Sequence, residues 1–184
     1  MLYITRILLA KYQKYLIWRY DFMIRFCQAG DLDTICRIAK DAWEKIFDHL
    51  EGAFGKELYN VVNPDCRNSK TPWLHNFFAE HPDWIYVAER NGKVVGFICI
   101  IMNFNSKVAQ ISNNAVDPFC GEKGVGQEMY QAVFERFKAE GMKAAMVTTG
   151  LDDAHAPARR AYERAGFKRR AEQVCYMMDM EKGE

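Results

Sequence analysis

The pattern of apolar and polar positions predicts strands and helices that alternate along the chain. Period-two alternation or short apolar runs bounded by turn residues predict strands at 24–27, 84–88, 94–101, 108–116, 144–148 and 174–180. Apolar residues at helical spacing predict helices at 32–46, 54–62, 71–80, 125–137 and 157–165. Such an order predicts an α/β protein (α+β by some schemes) with a mixed sheet and helices on both faces.

Turn residues support several of these boundaries. Asn91-Gly92 is typical of a two-residue hairpin between the second and third strands. Pro157 suits the first turn of a helix, and Gly166 suits the left-handed residue that follows a helix end. The third strand, from Val94 to Ile101, is apolar almost throughout, which predicts burial on both faces.

The length of 184 residues predicts one domain, which we assign to residues 23–184. Residues 1–22 form a distinct extension with Arg6, Lys11, Lys14 and Arg19 against Asp21 alone. We expect a packed arm, or a natural start at Met23. A helix lying on a membrane surface is the alternative, because apolar residues in this segment fall near one helical stripe.

Composition excludes several classes of protein. Hydrophobic residues make up 49% and charged residues 27%, which is typical of a globular chain. The net charge of +1 provides no overall field for nucleic acid, so we expect no nucleic-acid partner and no membrane partner for the domain itself. Six cysteines without a CxxC pair predict no zinc site and a reducing, cytoplasmic compartment.

A glycine-rich turn joins the fourth predicted strand to the next helix. Gly121, Gly124 and Gly126 remove side chains there, so that backbone N–H groups at the helix start can point at an anion. Lys123 could add a positive charge. The turn lacks the lysine and serine or threonine of a Walker motif and the GxGxxG of dinucleotide folds. A tight turn without a ligand is the alternative interpretation.

A second motif, on the helix after the fifth predicted strand, supports a functional interpretation of the turn. The segment HAPARRAYERAGFKRR follows the fifth predicted strand and carries Tyr162 in mid-helix. Ala115-Val116-Asp117-Pro118 with Lys123-Gly124-Val125-Gly126, and Ala161-Tyr162-Glu163-Arg164-Ala165-Gly166-Phe167, together resemble the two motifs of the GNAT N-acetyltransferase family. The resemblance covers residues 23–181.

The resemblance implies a fold and a reaction. The fold would be a GNAT-like, mostly antiparallel central sheet splayed between strands 4 and 5, which are 108–116 and 144–148 here. The activity would be transfer of an acetyl group from acetyl-CoA, without a metal, to a primary amine of a small molecule or peptide by direct attack in a ternary complex. Dimers are common among such enzymes, so a homodimer is one option by analogy, and the sequence leaves the oligomeric state open. Tyr162 would be catalytic as a proton or hydrogen-bond donor to the leaving thiolate. The residues expected to bind the cofactor are Ala115, Val116, Gly121, Glu122, Lys123, Gly124, Val125, Gly126 and His155.

Four positions depart from the family pattern or leave a role open. Gly121 replaces an arginine or glutamine, and Glu122 places a carboxylate beside the expected diphosphate. His155 replaces an asparagine, and Gln110 stands where some members carry a catalytic glutamate. These departures leave a second hypothesis, a degenerate member that binds acyl-CoA as a sensor or scaffold.

The acceptor and the base are less well defined by the sequence. Residues 43–83 are rich in aromatic residues and are our expectation for the acceptor side, although the same residues could simply close the core. Acids in this stretch would favour a cationic acceptor. Glu89, His75 and His81 are candidate bases on chemical grounds only.

Overall fold

The computed structural model describes residues 17–19 and 22–183, and within them six strands form one sheet. The strands are β1 (Ile17–Arg19), β2 (Phe22–Phe26), β3 (Ile85–Arg90), β4 (Lys93–Asn103), β5 (Val108–Val116) and β6 (Ala144–Val147). They lie side by side in chain order. All neighbours pair antiparallel except β5 and β6, which are parallel. The predicted mixed, mostly antiparallel sheet is therefore confirmed.

The helices follow the predicted pattern with one longer than expected. They are α1 (Leu32–Phe54), α2 (Lys56–Val62), α3 (Lys70–Glu80), α4 (Val125–Ala139) and α5 (Ala156–Ala165). The first helix continues through Gly52 to Phe54, and Gly55 after it has a φ of 78°, which ends the helix. Glycine tolerates this left-handed φ because it has no Cβ.

Two apolar layers cover the two faces of the sheet. Alternate residues of β3 point to opposite sides, so that Ile85 and Val87 pack with α1 and α3 while Tyr86 and Ala88 pack with α4 and α5. Strand β4 is buried on both faces in the same way, as its continuous apolarity predicts. Helices on both faces of the sheet are thus confirmed.

A β-bulge in β5 changes which residues share a face. Ile111 lies opposite Ile100 of β4, and Asn114 lies opposite Ile98, so two residues of β5 face one residue of β4. Ile111 and Asn114 consequently lie on the same side of the sheet, although three positions separate them. Pairing between β5 and β6 also ends here, with Ile111 opposite Val147.

The predicted strand at 174–180 is wrong. Residues 167–179 have no regular secondary structure, and Val174 and Tyr176 are 69% and 88% exposed. An alternating pattern forms a strand only where a neighbouring strand supplies hydrogen bonds and a face to pack on. In the structure this segment instead leads toward α2, where Lys182 pairs with Glu57 at 2.8 Å.

The amino-terminal extension is only partly described. Ile17–Arg19 pairs with β2 as the edge strand of the sheet, so this part of the expected extension belongs to the domain's sheet. The expected packed arm, the alternative start at Met23 and the membrane-surface helix otherwise concern residues outside the described ones. No helix in the described part of the chain has the length and apolarity needed to cross a membrane.

Candidate functional site

A gap opens in the sheet where β5 leaves β6. The last paired residues are Ile111 and Val147, so residues 112–116 of β5 have no partner on that side. Asp117 donates its N–H to Val95 of β4, and backbone groups of successive strand residues point to opposite sides. The N–H and C=O of Val116 therefore face the gap, while those of Ala115 face β4. Of the two residues expected to bind cofactor here, Val116 alone presents its backbone to the gap.

The glycine-rich turn leads from this gap into α4. Gly121 and Gly124 have φ values of 69° and 82°, which favour glycine, and no atom lies within 4 Å of where their Cβ atoms would be. The first hydrogen bond of α4 runs from the N–H of Glu128 to the carbonyl of Gly124. The N–H groups of Gly121 and of residues 123–127 have no acceptor among the described residues. They form an open row of donors at the positive end of the α4 dipole, as anion binding requires.

The carboxylate of Glu122 lies beside a guanidinium instead of standing alone. Arg90, at the end of β3, has its Nε 3.8 Å from Glu122 and donates from Nη2 to Glu128 at 2.6 Å. The Arg90 side chain is only 11% exposed and covers the ring of Phe22 at 3.4 Å. Arg90 therefore offsets the negative charge that the sequence places in the turn.

Tyr162 is buried on α5 and its hydroxyl lies in a short hydrogen-bonded chain. Asn114 donates from Nδ2 to the Tyr162 hydroxyl at 3.0 Å, and Tyr130 of α4 donates its hydroxyl to Oδ1 of Asn114 at 3.0 Å. Gln127 fixes the relative position of the two helices by donating to the carbonyl of Ala161 at 2.9 Å. Because the Tyr162 oxygen already accepts from Asn114, its own proton is free to point elsewhere.

Burial sets the acidity of this tyrosine. Desolvation raises the pKa of Tyr162, whereas the hydrogen bond from Asn114 and the neighbouring hydroxyl of Tyr130 lower it, and the net direction is upward. The phenol therefore stays protonated at neutral pH. A thiol has a pKa of about 8.5, so a phenol above 10 favours hydrogen-bond donation to a thiolate over complete proton transfer.

His155 is held by a carboxylate at the start of α5. Its Nδ1 lies 2.6 Å from Oδ2 of Asp152, and its backbone N–H donates to Oδ1 at 3.1 Å. Arg159 fixes the same loop by donating to the carbonyls of Gly150 and Asp152. The pKa of Asp152 is lowered because hydrogen bonds from His155 outweigh desolvation, which acts in the opposite direction. A carboxylate oxygen only accepts, so this contact places a proton on Nδ1 of His155 and leaves Nε2 available for another hydrogen-bond partner.

The candidate bases named from the sequence have other positions. Glu89 accepts from Arg25 at 2.9 Å, and His81 stacks on Trp84 with ring centroids 4.2 Å apart. His75 is exposed on α3. Gln110 is exposed in the part of β5 that still pairs with β6. None of these four residues is brought to the gap beside Tyr162.

The aromatic residues of the expected acceptor side mostly form core. They divide between a cluster against the sheet and a second cluster between α1 and α2, and the set comprises Trp43, Phe47, Phe54, Tyr59, Trp73, Phe77 and Phe78. Acids in the same stretch are largely paired. Glu51 accepts from Arg67 at 3.1 Å and Asp83 from Arg136 at 2.7 Å, so neither is a free anion for a cationic acceptor.

Several residues of this site were not identified from the sequence. Asn114, Tyr130, Arg90 and Asp152 act on the expected residues through contacts that no motif contains. One signal was available, since the run Ser112-Asn113-Asn114 places three consecutive polar residues in a strand whose other residues, apart from Gln110, are apolar. Within the described residues no group of three or more His, Cys, Asp or Glu side chains is arranged to hold a metal ion.

Comparison with known proteins identifies the family. The sequence model of the acetyltransferase (GNAT) family matches residues 40–167, which is more than two thirds of the chain. This chain is a member of the acetyltransferase (GNAT) family. Both sequence motifs lie within the matched residues, and the predicted family and enzyme class are confirmed.

One relative resembles this acetyltransferase over part of its sequence. S-(2-succino)cysteine N-acetyltransferase of Bacillus subtilis (strain 168) is 32% identical over 93 residues, a match that spans 48% of this chain and only 56% of that enzyme.

Solved structures show that the fold of this acetyltransferase is shared. Ard1 of Thermoplasma volcanium superposes with a TM-score of 0.62 at 22% identity, over 82% of this chain and 85% of that one. A GNAT family acetyltransferase of Brucella melitensis, solved in complex with acetyl-CoA, superposes with a TM-score of 0.57 at 15% identity over the same shares. The expected donor, acetyl-CoA, agrees with the family and with that complex.

Proposed function

We propose that this chain transfers the acetyl group of acetyl-CoA to a primary amine of a small molecule or peptide, by direct attack in a ternary complex. The observation that supports it best is the row of unpaired N–H groups at residues 121 and 123–127, placed where β5 leaves β6. A doubly charged diphosphate fits such a row because the donors and the helix dipole act together. A metal is not part of the proposal.

The binding roles follow from the positions of the side chains and backbone groups. The N–H groups of Gly121, Lys123, Gly124, Val125 and Gly126 would bind the diphosphate, and the exposed ammonium of Lys123 would add charge. Glu122 would be held aside by Arg90. The backbone of Val116 and the Nε2 atom of His155 would hydrogen-bond the pantetheine arm, which would lie in the gap.

The chemical roles fall to two groups beside the same gap. Bound acetyl-CoA supplies a thioester carbonyl that an amine can attack. The N–H of Val116 faces the gap and would stabilise negative charge on the carbonyl oxygen. Tyr162 would donate its free proton as a hydrogen bond to the developing thiolate, a role for which Asn114 orients it. We name no base, because the candidates from the sequence lie elsewhere.

The relative from Bacillus subtilis suggests which amines to test first. Its name gives S-(2-succino)cysteine as acceptor, an amino-acid derivative. We include this compound in an acceptor panel with simple alkyl amines, amino acids and peptides.

Binding and turnover test the proposal separately. We expect acetyl-CoA and CoA to raise the melting temperature, since a ligand at one hundred times its Kd stabilises by about 2.7 kcal/mol. Release of thiol with the acceptor panel then reports turnover. Tyr162→Phe should reduce turnover and leave the CoA-induced shift intact, whereas Tyr176→Phe, in the exposed carboxyl-terminal segment, should change neither.

The two hypotheses from the sequence predict different results. A sensor or scaffold would show the thermal shift without thiol release on any amine, and Tyr162→Phe would be silent. Absence of a shift at millimolar acetyl-CoA would refute both. Glu89 and His81 contact other residues, so neither candidate base lies at the gap. This observation supports the sensor hypothesis.

A further inference from the structure

Lys70 occupies an unusual position beside the β-bulge of β5. It is the first residue of α3 and is partly buried. Its Nζ donates to Oδ1 of Asn113 at 2.8 Å and lies 4.8 Å from the ring centroid of Trp43. Burial lowers the pKa of Lys70, and the positive end of the α3 dipole also disfavours a cation at this position.

This ammonium has no carboxylate partner among the described residues. Its one hydrogen bond within the described residues is to a neutral amide, and an ammonium has three donors. Glu51 and Asp41, two acids of α1, are used in other pairs, since Glu51 accepts from Arg67 and Asp41 from Arg37. A partly buried cation without an anion is costly, so the site is electrostatically suited to an external anion.

The bulge connects Lys70 to the reactive end of the site. Asn113 and Asn114 are consecutive, and they face opposite sides of the sheet. Asn114 orients the hydroxyl of Tyr162 on the α5 side, and Asn113 receives Lys70 on the α3 side. Both lie in the part of β5 that no longer pairs with β6. The gap therefore adjoins both amides, of which Asn113 contacts Lys70 and Asn114 contacts Tyr162.

We propose that Lys70 binds a carboxylate of the acceptor, so that the acceptor is an amino-acid-like molecule with its amine and carboxylate in the same compound. Trp43 would cover the apolar part of that molecule next to the ammonium. This inference rests on the proposed function and replaces the cationic acceptor expected from the sequence. The carboxylate would take the two donors of Lys70 that Asn113 leaves free.

Binding of matched product analogues tests the proposal without relying on turnover. N-acetyl-L-methionine carries the carboxylate, and N-acetyl-L-methioninamide is the same compound without the charge. We expect calorimetry on the CoA-saturated protein to give at least about tenfold tighter binding of the carboxylate, the effect of one charge-assisted hydrogen bond. Lys70→Met should abolish the preference, and Lys70→Arg should retain it. Lys45→Met, an exposed lysine on α1, is the matched control.

Fluorescence supplies a second readout at the same place. The carboxylate should change the emission of Trp43, and Trp43→Phe should remove that change. Equal binding of the two analogues, no binding of the carboxylate at millimolar concentration, or an undiminished preference in Lys70→Met would each overturn the proposal. The proposed function is judged separately by CoA binding and thiol release. If CoA fails to bind, the same titration on the free protein still tests Lys70.

Discussion

The hydrogen bond from Asn114 to Tyr162 can be reversed by a single substitution. Asn114→Asp keeps the shape of the side chain but removes its only donor. The new carboxylate can accept from Tyr130 as before, and it can only accept from Tyr162. In the wild type the phenol proton of Tyr162 points away from Asn114. In Asn114→Asp the phenol would instead donate its hydrogen bond to the carboxylate, and the leaving thiolate would lose its hydrogen-bond donor.

The expected loss follows from the type of hydrogen bond removed. A hydrogen bond to a charged group contributes about 1.5–3 kcal/mol, which is about ten- to 150-fold in kcat/KM. Tyr162→Phe should fall in this range, and Asn114→Asp should lose at least as much because it also brings a negative charge near the thiolate. Asn114→Leu leaves the phenol proton free, so we expect a loss of less than about tenfold. That variant should lose about 1–3 kcal/mol of stability, since the buried Tyr130 hydroxyl loses its acceptor.

Steady-state thiol release with the best acceptor gives the catalytic effects, and calorimetry with CoA shows whether the donor still binds. Asn105→Asp, in the exposed turn after β4, adds the same charge away from the site and should be neutral. If Asn114→Asp and Tyr162→Phe both keep activity within about threefold of wild type, the proposed role of the phenol is wrong. The reasoning also fails if Asn114→Leu is more damaging to kcat/KM than Asn114→Asp.

Further predictions concern the turn and its neighbours. Gly124→Val should cost about 1–2 kcal/mol of stability and weaken CoA binding, because its φ of 82° is left-handed. Gly52→Ala, in the last turn of α1, should instead stabilise by about 0.5 kcal/mol in chemical denaturation. Arg90→Met should weaken CoA binding in calorimetry by releasing Glu122, and adding Glu122→Gln should recover most of the loss; no recovery would contradict the pairing. The pKa of Asp152 is lowered on folding, so its stabilising contribution exists above about pH 4 and is lost as pH falls through the folded value. The difference in melting temperature between wild type and Asp152→Asn should therefore shrink below pH 4, and a constant difference would argue against the pairing with His155.

Most of the fold could be predicted from the sequence, because turns depend on neighbouring residues and helices depend on the periodic spacing of apolar residues. Asn91-Gly92 forms the expected hairpin since both residues adopt positive φ, and Gly166 follows the end of α5 for the same reason. The strand expected at 174–180 failed because period-two alternation describes a side-chain pattern and does not supply a pairing partner. A helix satisfies its backbone internally, whereas a strand depends on a neighbour that sequence alone does not specify.

The amino-acid sequence by itself determined the elements, the glycine-rich turn and the motif around Tyr162, because these depend on residue types at short spacing. Tertiary structure alone decided what surrounds them. The bulge in β5 places Asn114 with Tyr162 and Asn113 with Lys70, and β3 brings Arg90 beside Glu122. Residues 70 and 113, like 90 and 122, are far apart in the chain, and only the packing of α3 and α4 against the sheet makes their charges and hydrogen bonds meet.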